Sequence, residues 1–528
     1  MSEYIVQINQ GTLKGVALNT EFGEVICFNG IPYAEPPIGN LRFRDPQPPK
    51  FWEGVRDASE EGGVSAQISM INDGIVGDDD CLYLNVTTKN LSAKKPVMFW
   101  IHGGGFTVGS GGAQLHRPDY FLQHDIVFVS INYRLGILGF LNMNIDCCAG
   151  NQGLKDQVFA LKWVQENIEK FGGDKNNVTI FGESAGGASI HYLCISPLAK
   201  GLFHKAIIQS GAANNPWAFQ LSNKEYAIKL AAKLGNSSTN PEEIVKFLQT
   251  LAAQDIVVAQ KKIFVNKTKV LDFLFVPSVD DKSSNPFLPK PLDEMIANGI
   301  DVPVIIGYTS DEGILTLADG ASESEQFYKN CDKTFETDLA SDFKLESSTL
   351  VSHLSKEVKN YYFKGNPITK KEQAALVQYK GDINFVNGIM QMLDIQSQKN
   401  TLTYLYKYSH HPKYSVLQMA LNLKVEVIGA CHADDLIHLF YMNSLSDSLQ
   451  LKCGTTDYLL MEHMTKMWTD FAKTGNPTRS EAVNINWPPY ISERKSCLQI
   501  KKDLAIIENF EEESWKFWKP IFNKYKLF

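Results

Sequence analysis

The chain has 528 residues, 44% of them hydrophobic and 21% charged, which is enough apolar material for a large core and excludes a disordered or fibrous protein. Its formal charge is −8 and no block of Lys and Arg appears, so the basic footprint of a nucleic-acid binder is missing.

The amino terminus, "MSEYIVQINQGTLKG", lacks a basic stretch followed by an apolar one, so no secretory leader is expected. No apolar run approaches the ~20 residues of a membrane helix, and "NKYKLF" at the other end is not a retention or lipidation signal. Short β-rich runs then alternate with helical patterns. "PVMFWIH" (96–102), "DIVFVSINYR" (125–134), "NVTIFGES" (177–184) and "HKAIIQSG" (204–211) read as strands buried on both faces. Between the second and third, Val158, Leu161, Val164 (or Gln165) and Ile168 share a helical face that Gly172 and Gly173 terminate. "VPVIIGYTSDEG" (302–313) and "TLTYLYKYSH" (401–410) are later strands, while 220–300 and 315–395 read as helical insertions shaping a pocket. No repeat or linker interrupts the chain, so residues 1–528 are expected to form one α/β domain with a mostly parallel sheet.

The nine cysteines are scattered, with no C-x-x-C pair and no metal-ligand spacing. That usage fits reduced thiols and a cytoplasmic location. The sequons at Asn85, Asn177, Asn236 and Asn266 then carry no weight.

"TIFGESAGG" places Gly182-Glu183-Ser184-Ala185-Gly186 between a strand and a helix. This is the context of a nucleophile elbow, in which Ser184 is held at positive φ and flanking glycines let the elements cross closely. The pentapeptide alone arises by chance often enough that a second signal is needed. "IHGGGF" (101–106) supplies it, since a glycine run after a strand can aim backbone N–H groups at a developing oxyanion. Gly104 and Gly105 are the expected donors, with Ala185 as the third. A phosphate loop is disfavoured, because no G-K-[ST] follows.

A serine needs a base and an orienting carboxylate. His102 is expected to order the glycine loop, His191 lies on the helix after Ser184, His204 begins a strand, and His410-His411 occupy a turn before Pro412. His432, in "VIGACHADDLIHLF", is far downstream and introduced by glycine, which suits the base. "GYTSDEG" offers Asp311 and Glu312 as the acid, and spacing does not separate them.

"FNGIPYAEPPIGNLRF", "DDCLYLNV", "NYRLGILGFL", "NQGLKDQ", "FGGDKNNVTIFGESAGG", "QSGAA", "DEG", "GACHADDL" and "WTDFAKTGNP" run in one order almost end to end. Together they resemble the type-B carboxylesterase (cholinesterase/carboxylesterase) family, and insect α-esterases most. The resemblance implies an α/β-hydrolase fold and a triad of Ser184, Glu312 and His432. It also implies an oxyanion hole of Gly104, Gly105 and Ala185, and ion pairs Arg42–Asp79 and Arg134–Asp174. Two-step acyl transfer without metal or cofactor is expected. Small-molecule esters would be substrates and organophosphates covalent inhibitors. No nucleic acid or membrane anchor is implied, and the chain would be a monomer or weak homodimer. Trp217 and Phe273 match substrate-pocket aromatics but equally suit core packing.

Departures narrow the expectation. Secreted members bridge the Cys81 position to a cysteine where this chain has Ser65, and no cysteine lies between 195 and 330. Residues 66–80 lack the aromatic that faces choline in cholinesterases. The elbow reads GESAG where juvenile-hormone esterases resemble GQSAG. General detoxification of esters is the favoured role. A specialised hormone or pheromone esterase is the alternative, and a non-catalytic adhesion-like relative the remote one.

Overall fold

The computed structural model describes residues 4–69, 74–264, 271–317, 323–421, 423, 427–445, 450–479 and 483–525. Asn266 and part of the 66–80 stretch lie outside them.

A 13-stranded sheet organises the molecule. From Val127–Ile131 through Lys95–Ile101, Gly173–Glu183, Lys205–Gln209, Val304–Thr309 and Thr403–Tyr408 to Cys497–Ile500, every neighbouring pair is parallel. Antiparallel strands close both sides. Tyr4–Ile8, Gly11–Thr20, Gly23–Pro32 and Tyr83–Thr88 form a meander at one edge, and Ala505–Ile507 caps the other. The expected strands all form. The meander strands Gly11–Thr20 and Gly23–Pro32 are ten residues each but mix apolar with polar and glycine residues, so no comparable apolar run marks them.

The central strands read as continuous hydrophobic runs because both sheet faces are covered. Val97, Phe99, Ile180 and Ile208 belong to one buried cluster, whereas Met98, Trp100, Phe181 and Ile207 belong to the other. Successive side chains point to opposite faces, so neither alternate set can be polar. The helix Gln152–Asn167 packs Val158, Leu161 and Val164 inward, and Ile168 is buried in the 3-10 turn that follows. Helices Lys224–Lys233, Pro241–Gln249 and Ala253–Phe264 fill the first insertion, and Glu325–Asp342 through Asn387–Gln396 fill the second.

Arg42 pairs with Asp79, its Nε lying 3.0 Å from Oδ1. The second expected pair is different. Arg134 donates to Asp156 through Nε (2.8 Å) and Nη2 (2.6 Å), with both side chains almost fully buried. Asp174 instead lies 3.8 Å from the exposed Lys94. A charge on a helix ordinarily faces solvent, but the helix Gln152–Asn167 is enclosed, so Asp156 is available to the guanidinium while Asp174 begins a strand at the rim. All nine cysteines are free. Ser65 is buried beside Cys81, its hydroxyl accepting from the Leu135 amide at 3.1 Å.

Breaking one partner of a buried pair leaves the other charge without compensation. Asp156→Ala is expected to cost about 3–5 kcal/mol in urea denaturation. Asp174→Ala is expected to cost about 0.5 kcal/mol or less. Equal effects would reassign the pair.

Candidate active site

The strand Gly173–Glu183 runs into Ser184, whose backbone sits at φ 58°, ψ −121°, and the helix Ala185–Ile195 begins at the next residue. The geometry is strained for a non-glycine residue and is held by its surroundings. A Cβ on Gly182 or Gly186 would collide with the backbone at Ile101. The Ser184 amide donates to the Gln209 carbonyl at 2.9 Å, tying the turn to the next strand. From residue 178 to 193 every residue is buried except Ser184, so the turn brings one side chain out of an otherwise closed region.

The loop after Lys95–Ile101 approaches this turn. Gly104, Gly105 and Phe106 take successive φ values of 105°, 60° and 60°. A Cβ on Gly104 would strike the Val108 carbonyl, and one on Gly105 would strike the Phe273 ring. The loop's carbonyls are engaged: Gly104 O accepts from Thr107 (3.0 Å) and Val108 (3.1 Å), and Phe106 O accepts from Gly136 (2.6 Å). The Gly104 and Gly105 amides donate to no group among the described residues. Ala185 is the first residue of its helix, where amides have no intrahelical acceptor. His102 donates through Nδ1 to the Gly103 carbonyl at 2.8 Å, consistent with ordering the loop.

Glu312 and His432 meet across neighbouring parallel strands. Glu312 opens the 3-10 helix Glu312–Leu317 just after Val304–Thr309, and His432 lies in the connection that follows Thr403–Tyr408. His432 Nδ1 is 2.5 Å from Glu312 Oε2, and the Thr309 amide donates to Glu312 Oε1 at 2.8 Å. Asp311, which spacing left as the other candidate, accepts from the Ser310 hydroxyl at 2.5 Å instead. The His432 connection is pinned by Asp434, which accepts from the Cys431 amide (2.7 Å) and the Ser415 hydroxyl (2.5 Å).

Glu183 has more to do here than its place beside Ser184 suggests. Its Oε1 lies 3.1 Å from His432 Nε2, and both side chains are buried. Burial by itself would lower the imidazole, but the charges of Glu183 and Glu312 outweigh it and raise His432 to about 9. Burial pushes Glu183 up to about 8. The two shifts oppose each other, because a protonated Glu183 no longer supports an imidazolium. Proton loss from either group therefore alters the proton affinity of the other. Asp435, pushed up to about 6 by burial, adds a further carboxyl, which accepts from Gln209 (2.9 Å) and Tyr406 (3.0 Å). Ser184 Oγ makes no hydrogen bond with His432 here. Such contacts commonly tighten only with substrate bound.

Aromatic rings join these parts. Trp217 is buried, and its indole N–H donates to the Asn384 carbonyl at 2.7 Å. Its ring lies 6.4 Å from half-buried Phe273, 6.3 Å from Phe106 and 5.9 Å from Phe385. Phe385 in turn lies 4.4 Å from His432. It belongs to a single π-helical turn, Asp382–Val386, a form frequent at functional sites. Sequence patterning missed Phe385, because one extra residue in a helical turn leaves no composition signal. Glu183, Asp434 and Asp435 were visible within motifs but had no assignable role.

The profile of the carboxylesterase family matches residues 2–518. Venom carboxylesterase-6 of Apis mellifera is 34% identical over 95% of this chain and 91% of its own. The juvenile hormone esterase of Tribolium castaneum is 35% identical over 91% and 84%. Among solved structures, the juvenile hormone esterase of Manduca sexta with OTFP covalently attached superposes with a TM-score of 0.88. It is 28% identical and covers 99% of this chain and 100% of that one.

An anion beside an imidazole stabilises its protonated form, so removing the anion lowers the imidazole pKa. In Glu183→Gln, the acid limb of the kcat/KM profile for a p-nitrophenyl ester should move to lower pH by about one unit. An unmoved limb would show that Glu183 does not act on His432.

Proposed function

This chain belongs to the carboxylesterase family, and from that premise we propose that it is a general carboxylesterase whose nucleophile is Ser184. The observation that carries the assignment of residues is the convergence of the Ser184 turn, the His432–Glu312 hydrogen bond and three unengaged loop and helix amides. Hydrolysis of carboxylic esters by a serine mechanism is the chemistry of the chain.

Ser184 Oγ attacks the ester carbonyl while His432 Nε2 takes its proton. Glu312 keeps the imidazole in the correct tautomer and stabilises the imidazolium, and Glu183 adds negative charge on the other side. The amides of Gly104, Gly105 and Ala185 donate to the oxyanion, each worth about 3 kcal/mol of transition-state stabilisation. His432 returns its proton to the departing alcohol. Water then attacks the acyl-enzyme, again with His432 as base, releasing the acid and free Ser184.

Trp217, Phe273 and Phe385 would line the acyl side. A wall of this kind favours short to medium acyl chains and uncharged alcohols. Detoxification of foreign or dietary esters fits that breadth. A juvenile-hormone substrate is the second reading, favoured by the names of the Tribolium and Manduca relatives. A reducing, cytoplasmic location is supported by nine unpaired thiols and by Ser65 next to Cys81.

Ser184→Ala should lower p-nitrophenyl ester turnover by about 10⁴-fold or more. Wild-type rates in that variant would overturn the assignment. Covalent capture of organophosphates is a second consequence. Paraoxon should place a diethylphosphoryl group on the peptide containing Ser184, releasing p-nitrophenol, and peptide mass spectrometry reads the adduct. An unmodified Ser184 with ester turnover intact would sink the scavenging role.

A further inference from the structure

Outside the catalytic groups, three side chains from separate elements converge. His410 follows the strand Thr403–Tyr408, His438 ends the 3-10 helix Asp434–His438, and Asp457 lies in the first turn of the helix Thr456–Thr474. Their ligand atoms all lie within 4.8 Å of one another. We propose that His410 Nε2, His438 Nε2 and Asp457 Oδ1 form a binding site for a divalent transition metal of the zinc class.

The donor set is the first argument. Two imidazole nitrogens and one carboxylate oxygen suit Zn²⁺, Co²⁺ or Ni²⁺, whereas Mg²⁺ and Ca²⁺ prefer oxygen alone. Geometry is the second. A tetrahedral ion with bonds near 2.0–2.1 Å holds its ligands about 3.3 Å apart. His438 Nε2 is 3.4 Å from Asp457 Oδ1 already, and the 2.6 Å between His410 Nε2 and the same oxygen has to open only slightly.

The surrounding hydrogen bonds are the third argument. The Lys413 amide donates to Asp457 Oδ2 at 3.3 Å, leaving Oδ1 to face the imidazoles. The Tyr408 hydroxyl lies 3.1 Å from His438 Nδ1. With a metal on Nε2, Nδ1 carries the proton and the hydroxyl accepts it, an arrangement that fixes the ring as outer partners of metal ligands do. His438 is fully buried, but His410 and Asp457 are about one-sixth exposed, so water can complete the coordination from the solvent side. Without an ion, two imidazole N–H groups must share one carboxylate oxygen. The ligands are far apart in sequence, so no spacing motif announces them.

A bound ion would join three elements around the segment that begins at His432. Titrating the tag-free, chelator-treated chain with ZnCl₂ should show about one equivalent bound by calorimetry and a Tm that rises with metal concentration. Co²⁺ should give a d–d spectrum without a thiolate charge-transfer band, which separates this site from the free cysteines. His410→Gln and Asp457→Asn should abolish both signals, whereas His411→Gln, at the neighbouring histidine, should keep them. No binding up to roughly millimolar metal, binding that survives His410→Gln, or a thiolate band would each overturn the proposal.

Discussion

Ser184 is held at φ 58° because the strand before it and the helix after it cross where a single Cβ would not fit. A non-glycine residue in such a conformation costs on the order of 1–3 kcal/mol, so the surrounding structure has to over-determine it. The sheet does so. Its central strands are buried on both faces, and the amide of Ser184 is tied to Gln209 on the next strand. Two properties of the site follow from the strain. The side chain emerges from a closed region, and the amide of Ala185 is left without an acceptor at the start of its helix.

Parallel strand order brings the other groups to the same place. Glu312 and His432 both follow carboxyl ends of neighbouring strands, the side of an open α/β sheet on which sites form. Burial there makes electrostatics strong. Glu183, Glu312 and Asp435 face one imidazole, and their negative charge raises its proton affinity against the opposing effect of burial. Asp434 and Phe385 hold the same segment by a hydrogen bond and by ring contact. His432 is thus enclosed on several sides by groups that fix its position and its proton affinity.

His438, one of the three proposed metal ligands, lies six residues after the catalytic histidine, at the end of the 3-10 helix Asp434–His438. The three ligands come from a strand end, a 3-10 turn and a helix start, and only their packing makes them neighbours.

Much of the molecule was legible in the sequence. Continuous apolar runs forecast buried parallel strands, since both faces of such a strand must be hydrophobic. The glycine positions in "IHGGGF" and "GESAGG" forecast backbone geometry, because a nucleophile elbow and an oxyanion loop both need close backbone approach. Other features depended on three-dimensional neighbours. Adjacent carboxyls at Asp311 and Glu312 look alike in sequence; the structure turns one to Ser310 and the other to His432. Asp156 rather than Asp174 meets Arg134, because an enclosed helix hides a charge that its periodicity would assign to solvent. Local sterics and periodicity are written along the chain. Which charge faces which, and which rings and ligands converge, is decided only when distant segments pack, because those energies depend on distance and burial rather than on order in sequence.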